Sequence, residues 1–172
     1  MALRKIVCKG DETLRKKSRR VGEINERISL LIDDMWETLE EYDGIGLAAP
    51  QVGVLRRVVV IDTGEDGGRF ELINPELVAA EGMEEDEEGC LSIPGVIGMV
   101  PRPERVTVRA QDRGGATFTI EGEGMLARAL SHELDHLDGV LFIDRATKIE
   151  KHDPDADGQG LSGAPGGGGQ ER

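Results

Sequence analysis

The length, composition and charge of the chain exclude several classes of protein. Its 172 residues, of which 38% are hydrophobic and 32% charged, suit one globular domain with a single core. The formal net charge of −13 argues against a nucleic-acid backbone as the main partner, because the chain offers little positive charge to displace condensed counterions. No segment resembles a membrane span or a signal peptide, and the two cysteines, Cys8 and Cys90, suit the reducing cytosol.

The first half of the chain contains one amphipathic helix followed by strands. Apolar residues recur at spacings of three and four over residues 25–42, which predicts a helix that ends at Asp43-Gly44. A run of β-branched residues predicts a strand over 57–62, and a shorter strand is predicted over 70–73. The acidic stretch 81–88 is interpreted as a solvated loop.

The second half contains a hairpin and another helix. Alternating valines predict a strand over 105–110, and a turn separates it from a strand over 116–120, so the two are expected to form a hairpin. A helix is predicted over 124–137, where Gly139 ends it, and a last short strand over 140–143.

The composition changes near residue 150. The predicted organisation is a single catalytic domain over residues 1–149 and a tail over 150–172. The tail is mostly Gly with scattered Pro, Ser and Gln, so it holds too little apolar surface to offset the entropy of ordering and is expected to be disordered.

The second helix carries the pattern H-E-x-x-H. His132 and His136 stand one turn apart on the same face of a helix, so their imidazoles can bind one metal ion. Glu133, beside the first histidine, can reach a water held by that ion. Catalytic metal sites ordinarily have three protein ligands and an open position, so one ligand remains to be found.

The third ligand is expected upstream of the helix. Phe142 occupies the position where metzincins carry their third histidine, and Glu150 and His152 lie at the edge of the tail. Cys90, taken alone, would be interpreted as a buried inert thiol, but beside an incomplete H-E-x-x-H site its thiolate is the best candidate ligand for Zn²⁺ or Fe²⁺.

Two rival functions use the same residues. An endopeptidase would need a third ligand of the Glu or His type, and none is found in a suitable position. A structural metal site would need four closed protein ligands, and His152 is the only spare candidate. A metal-dependent hydrolase with an open coordination position is therefore favoured over both alternatives.

Three segments together resemble the signature motifs of peptide deformylases of the bacterial type. They read GIGLAAPQ over residues 44–51, EGCLS over 88–92 and HELDH over 132–136, in the expected order and spacing, and the resemblance covers about residues 1–148. It implies an α+β fold with antiparallel sheets packed around a central helix that carries the HExxH motif. It also implies removal of the formyl group from the N-terminal formyl-methionine of newly made polypeptides, with release of formate.

The resemblance also assigns roles to residues of the reaction centre. Glu133 would be the general acid and base, and the Gln51 side chain and the Leu91 backbone N–H would stabilise the oxyanion. The residues that match the metal ligands of the family are Cys90, His132 and His136.

Substrate contacts are implied in the same way. The backbone of Gly46 would contact the peptide, and Ile45, Met125 and Ala129 would line the pocket for the methionine side chain. This chain departs from some members at Ile97, where an Arg helps to hold the substrate backbone, so that contact is not carried over.

The resemblance finally implies a cofactor and partners. One divalent ion is expected, Fe²⁺ in the cell, with Zn²⁺, Ni²⁺ or Co²⁺ able to substitute. The expected partners are N-formyl-methionyl nascent polypeptides in the cytoplasm, with neither direct nucleic-acid nor membrane binding. Transient ribosome association stays open, because some members dock through a long basic terminal helix whereas this chain ends in an acidic, Gly-rich segment.

Overall fold

The computed structural model describes residues 2–152, which form eight strands and three α-helices. The helices are α1 (Glu26–Glu41), α2 (Met125–Leu137) and the short α3 (Phe142–Arg145). In chain order the strands are β1 (Gly46–Ala48), β2 (Val58–Asp62), β3 (Arg69–Glu81), β4 (Glu84–Cys90), β5 (Ile93–Arg102), β6 (Arg105–Gln111), β7 (Thr117–Glu123) and β8 (Lys148–Lys151).

The strands form two antiparallel sheets. Five strands pair in the order β1-β2-β3-β6-β7, and three pair in the order β4-β5-β8. Short 3₁₀ helices occupy Glu12–Arg15 and Ala49–Val52, the latter directly after β1. The fold is therefore α+β with antiparallel sheets, as the sequence predicts.

The larger sheet lies between the two long helices. Val58 and Val60 of β2 pack in one core with the apolar face of α1, whereas Val59 and Ile61 pack in a second core with α2. Successive residues of a strand point to opposite faces, so a strand covered on both sides is apolar at every position. This explains the unbroken β-branched run in the sequence.

The helix predictions over 25–42 and 124–137 and the hairpin of β6 and β7 are confirmed to within a few residues. The predicted strand over 70–73 is only the start of the thirteen-residue β3. In the described residues, no helix is both long and apolar enough to cross a membrane.

Two local predictions are wrong. The acidic stretch is not a loop, since most of it forms β4 at one edge of the small sheet, where the side chains of 84–87 are all exposed. Charges on an edge strand also discourage pairing with another chain. The expected strand over 140–143 is instead the beginning of α3, because the Asp144 carboxylate accepts a hydrogen bond from the Leu141 backbone N–H (2.9 Å) and caps a helical turn.

Strand β8 crosses the predicted boundary between residues 149 and 150. Its four residues pair with β5, so the described fold continues beyond that boundary. The rest of the predicted tail, residues 153–172, lies outside the described residues.

Candidate metal centre

Three buried side chains converge at the end of the small sheet. The ligand atoms of Cys90, His132 and His136 all lie within 4.8 Å of one another, and the Cys90 Sγ is 3.3 Å from the His136 Nε2. Zn–S bonds of about 2.3 Å and Zn–N bonds of about 2.0–2.1 Å place tetrahedral ligand atoms roughly 3.3–3.7 Å apart. One thiolate and two imidazoles at these separations fit a single divalent ion.

Local structure explains why these three residues meet. His132 and His136 occupy successive turns of α2, with their ring centroids 5.0 Å apart. Cys90 is the last residue of β4, directly before the Leu91-Ser92 turn into β5. Phe142, at the position of the third histidine of metzincins, has a packing role: its buried ring stacks on His132 at a centroid distance of 6.1 Å. A phenyl ring offers no ligand atom.

A buried carboxylate orients the first histidine. The Glu88 Oε1 lies 2.8 Å from the His132 Nδ1, so the ring donates from Nδ1 and presents Nε2 to the site. Arg102 donates to both oxygens of Glu88, at 2.8 and 3.0 Å. Burial raises the pKa of Glu88, but the hydrogen bonds from Arg102 and His132 outweigh it and hold the pKa well below its ordinary value. Such carboxylate–histidine pairs fix the orientation of metal-ligating rings.

The electrostatic surroundings favour a cation. Burial disfavours a charged ring, yet the carboxylates of Glu133 and Glu88 and the Cys90 sulfur raise the pKa of His132 well above its ordinary value. Burial, and then His132 and Arg102, lower the pKa of His136, which keeps that ring neutral. The anionic groups that attract a proton to His132 attract a metal ion in the same way, and metal binding would displace that proton.

Glu133 faces the same site from the neighbouring position on α2. Burial, opposed by His132, raises the pKa of its carboxyl to about 7. Its Oε1 is buried and has no hydrogen-bond partner in the described residues. A Cβ added to Gly46 of β1 would lie 2.6 Å from the Glu133 Oε2, so a larger residue at this position would have to displace the carboxylate. A buried carboxylate with a free oxygen and a pKa near neutral is suited to proton transfer.

The Gln51 side chain is held beside the thiol. Its Oε1 accepts a hydrogen bond from the Ala48 N–H (3.0 Å), and its Nε2 lies 3.6 Å from the Cys90 Sγ and 3.1 Å from the Ser92 Oγ. The glutamine is 1% exposed, so its amide is positioned by the protein and its N–H groups are directed at the candidate metal site.

A cavity opens next to these groups. It is lined by the predicted pocket residues Ile45, Gly46, Met125 and Ala129, and also by Gln51, Cys90, Leu91, His132 and Glu133. Every residue predicted for the site therefore borders this cavity except His136, which lies deeper and is 1% exposed. Ile97, where some deformylases carry an Arg, does not line it.

Buried charged groups that were not predicted from the sequence support the candidate ligands. Glu88 had been included in the solvated acidic stretch, although its 2% exposure and its place two residues before Cys90, on the same face of β4, make it part of the centre. Side chains along a strand alternate between its two faces, so the position of Glu88 two residues before Cys90 is the signal that could have identified it. Arg128 binds Glu88 too, and its place four residues before His132 on the same helix face is a similar signal. For Arg102, which binds Glu88 from β5, the single sequence holds no such signal.

Comparison with known proteins gives a consistent result. The sequence profile of a family described as polypeptide deformylase matches residues 3–152. Peptide deformylase of Caldicellulosiruptor bescii is 57% identical over 149 residues, which are 87% of this chain and 89% of that protein. Peptide deformylase of Acetivibrio thermocellus is 58% identical over 153 residues, or 89% of either chain.

Solved structures agree with the sequence comparison. A peptide deformylase from Legionella pneumophila superposes with a TM-score of 0.82 at 48% identity and covers 85% of this chain and 87% of its own. A peptide deformylase from Ehrlichia chaffeensis in complex with actinonin gives a TM-score of 0.83 at 38% identity, with 86% and 91% covered. The chain therefore belongs to the peptide deformylase family, and it is an enzyme that removes the formyl group from an N-terminal methionine.

Proposed function

We propose that Cys90, His132 and His136 hold one divalent metal ion and that Glu133, Gln51 and Leu91 carry out the deformylation around it. The observation that carries the proposal is the convergence of one thiol and two imidazoles within 4.8 Å beside a cavity. The metal is Fe²⁺ in the cell, and Zn²⁺, Ni²⁺ or Co²⁺ can replace it, because this donor set suits several such ions. When bound, the ion acts as a Lewis acid that polarises the formyl carbonyl and lowers the pKa of water.

Glu133 transfers the proton. Its buried carboxylate accepts a proton from the attacking water and then returns it to the nitrogen of the departing methionine, so that formate and a free amine are produced. The pKa of about 7 allows both directions of transfer near neutral pH, and a bound cation would lower that pKa and favour the basic form. The Oε1 that has no partner in the described residues is available for the water.

Gln51 and Leu91 stabilise the oxyanion of the tetrahedral intermediate. The Gln51 Oε1 accepts a hydrogen bond from the Ala48 N–H, so the position of the amide beside the site is set before the reaction. The Leu91 N–H lies in the turn that follows Cys90. Removal of one such donor typically costs about 2.7–4 kcal/mol of barrier.

The cavity sets the substrate class. Ile45, Met125 and Ala129 provide an apolar lining for a methionine side chain, and Gly46 lies on β1, an edge strand whose backbone can pair with an extended peptide. We propose that the natural substrates are N-formyl-methionyl nascent polypeptides in the cytoplasm, which bring the enzyme transiently to the ribosome.

A paired substrate test addresses this function. Anaerobically purified enzyme, with its metal identified by elemental analysis, is given a formyl-Met peptide and its acetyl-Met counterpart. We expect rapid formate release from the first and a much slower reaction of the second, because the extra methyl group crowds the site. Equal rates would argue against a deformylase, and cleavage of internal peptide bonds would favour the endopeptidase alternative.

A further inference from the structure

The carboxylate of Glu88 bridges one turn of α2. Its Oε1 pairs with the His132 Nδ1 and its Oε2 accepts a hydrogen bond from the Arg128 Nη1, both at 2.8 Å. Arg128 precedes His132 by four residues, so the two side chains share one face of the helix. Glu88 itself lies on β4, two residues before Cys90.

Arg128 also binds both strands that flank the thiol. Its Nη1 donates to the Val100 carbonyl of β5, and its Nη2 donates to the Glu84 carbonyl of β4, each at 2.8 Å. The side chain is 13% exposed and borders the cavity. One guanidinium therefore connects the helix that carries both imidazoles with the strand that carries the sulfur.

Stability alone explains this arrangement poorly. Charges buried in pairs commonly add little to stability compared with apolar residues of similar volume. Groups that hold a ligating histidine, in contrast, typically change metal affinity by about 10–100-fold when they are removed. The contacts of Arg128 affect both elements that carry the candidate ligands. They restrain Glu88 relative to α2, which carries the two histidines, and they restrain α2 relative to β4, which carries Cys90.

We propose that Arg128 is a positioning residue for the metal centre. Through Glu88 it fixes the His132 ring, and through the Glu84 and Val100 carbonyls it fixes the spacing between the Cys90 sulfur and the two imidazoles. The proposal rests on the metal ligation described under the proposed function, and it goes further by naming a residue outside the ligand set that determines how well the set binds.

The test measures metal affinity rather than activity. Co²⁺ and Zn²⁺ affinities are determined by competition with a chromophoric chelator, and the absorption spectrum of the Co²⁺ form reports the ligand geometry. Arg128→Met, which keeps much of the volume but loses the hydrogen bonds, should bind roughly 10–100-fold more weakly and shift the Co²⁺ spectrum. Arg128→Lys keeps a positive charge beside Glu88 but cannot reach both strands. Its metal affinity should lie between those of Arg128→Met and the wild type.

Arg145→Met is the matched control. Arg145 of α3 is 49% exposed and pairs with Asp135 of α2, but it does not touch Glu88, so this variant should keep wild-type affinity and spectrum. Equal weakening in Arg145→Met and Arg128→Met would overturn the proposal, as would wild-type affinity in Arg128→Met. If Arg128→Met shows no cooperative thermal transition, it is not folded, and Arg128→Lys then serves as the test. Wild-type metal affinity in Arg128→Lys would overturn the positioning role.

Cys90→Ser, measured in the same assay, distinguishes failure of the proposed ligand set from failure of the positioning role of Arg128. Retention of metal by Cys90→Ser would overturn the ligand set itself. Loss of metal in Cys90→Ser together with normal binding in Arg128→Met would preserve the ligand set and overturn only the role of Arg128.

Discussion

Glu133 combines two properties that rarely occur in one carboxylate: it is 4% exposed, and one of its oxygens has no partner in the described residues. We expect Glu133→Gln to keep its metal, because the metal ligands are untouched, and to lose about 10²–10⁴-fold in kcat, because an amide cannot accept the proton. Elemental analysis and single-turnover formate release measure the two effects.

A control for this prediction is available on β8. Glu150 is exposed and is not among the residues that line the cavity, so Glu150→Gln should leave both metal content and kcat unchanged. That result would also dismiss Glu150 as the downstream ligand considered from the sequence. Undiminished turnover in Glu133→Gln would remove this residue from the proton transfer.

At the level of single residues, the sequence predicted the groups that converge at the cavity but not those that hold them in place. Two histidines on one helix face are evident from a spacing of four, and Cys90 follows because the site lacks a ligand. Glu88 is different, since charge alone suggests exposure, and only the contacts with Arg102 and Arg128 show how its burial is compensated.

Among the elements, β1 and α2 approach each other closely at the candidate site, where Gly46 faces Glu133. A Cβ on Gly46 would lie 2.6 Å from the Glu133 Oε2 and 3.0 Å from its Cδ, which is closer than side-chain contacts normally come. Gly46→Ala should therefore displace the carboxylate and lower kcat, by about 10²-fold for a displacement near 1 Å, while metal content stays normal. Steady-state kinetics on a formyl-Met peptide measure the loss.

Gly22 provides the comparison for this substitution. No atom comes within 4 Å of a Cβ built on Gly22, and its backbone does not require glycine, so Gly22→Ala should behave as the wild type. A Gly46→Ala enzyme with normal kcat would mean that the strand and the helix can separate without disturbing the proton transfer.

Element prediction succeeded where a single chain segment shows its periodicity. The long helices and the β6–β7 hairpin are local features, and the sequence contains all of their signals. Strand β4 was missed because its outer residues are all acidic and exposed, so no apolar alternation marks them. Helix α3 was missed because a capping contact from Asp144, rather than periodicity, starts its single turn.

For the whole molecule, the single sequence does not specify how strands that are distant along the chain pair. Strand β3 pairs with β6 across the whole β4–β5 hairpin, which joins a separate sheet, and no local pattern specifies that choice. Cys90 of β4 and His136 of α2 likewise meet across 46 positions of the chain. The resemblance to a known family supplied the general architecture, antiparallel sheets around a central helix, but not the order of the strands.

A metal site assembled from distant segments should stabilise the folded chain, because an unfolded chain does not hold the three ligands together. An ion that binds only the folded state adds about 2.7 kcal/mol when its free concentration is 100 times its Kd. We therefore expect the thermal midpoint of the metal-free protein to rise on addition of Co²⁺, as measured by circular dichroism. Cys90→Ser should lose most of this rise, whereas Cys8→Ser should keep it, since Cys8 is exposed and outside the ligand cluster. An equal rise in the two serine variants would contradict ligation by the Cys90 thiolate.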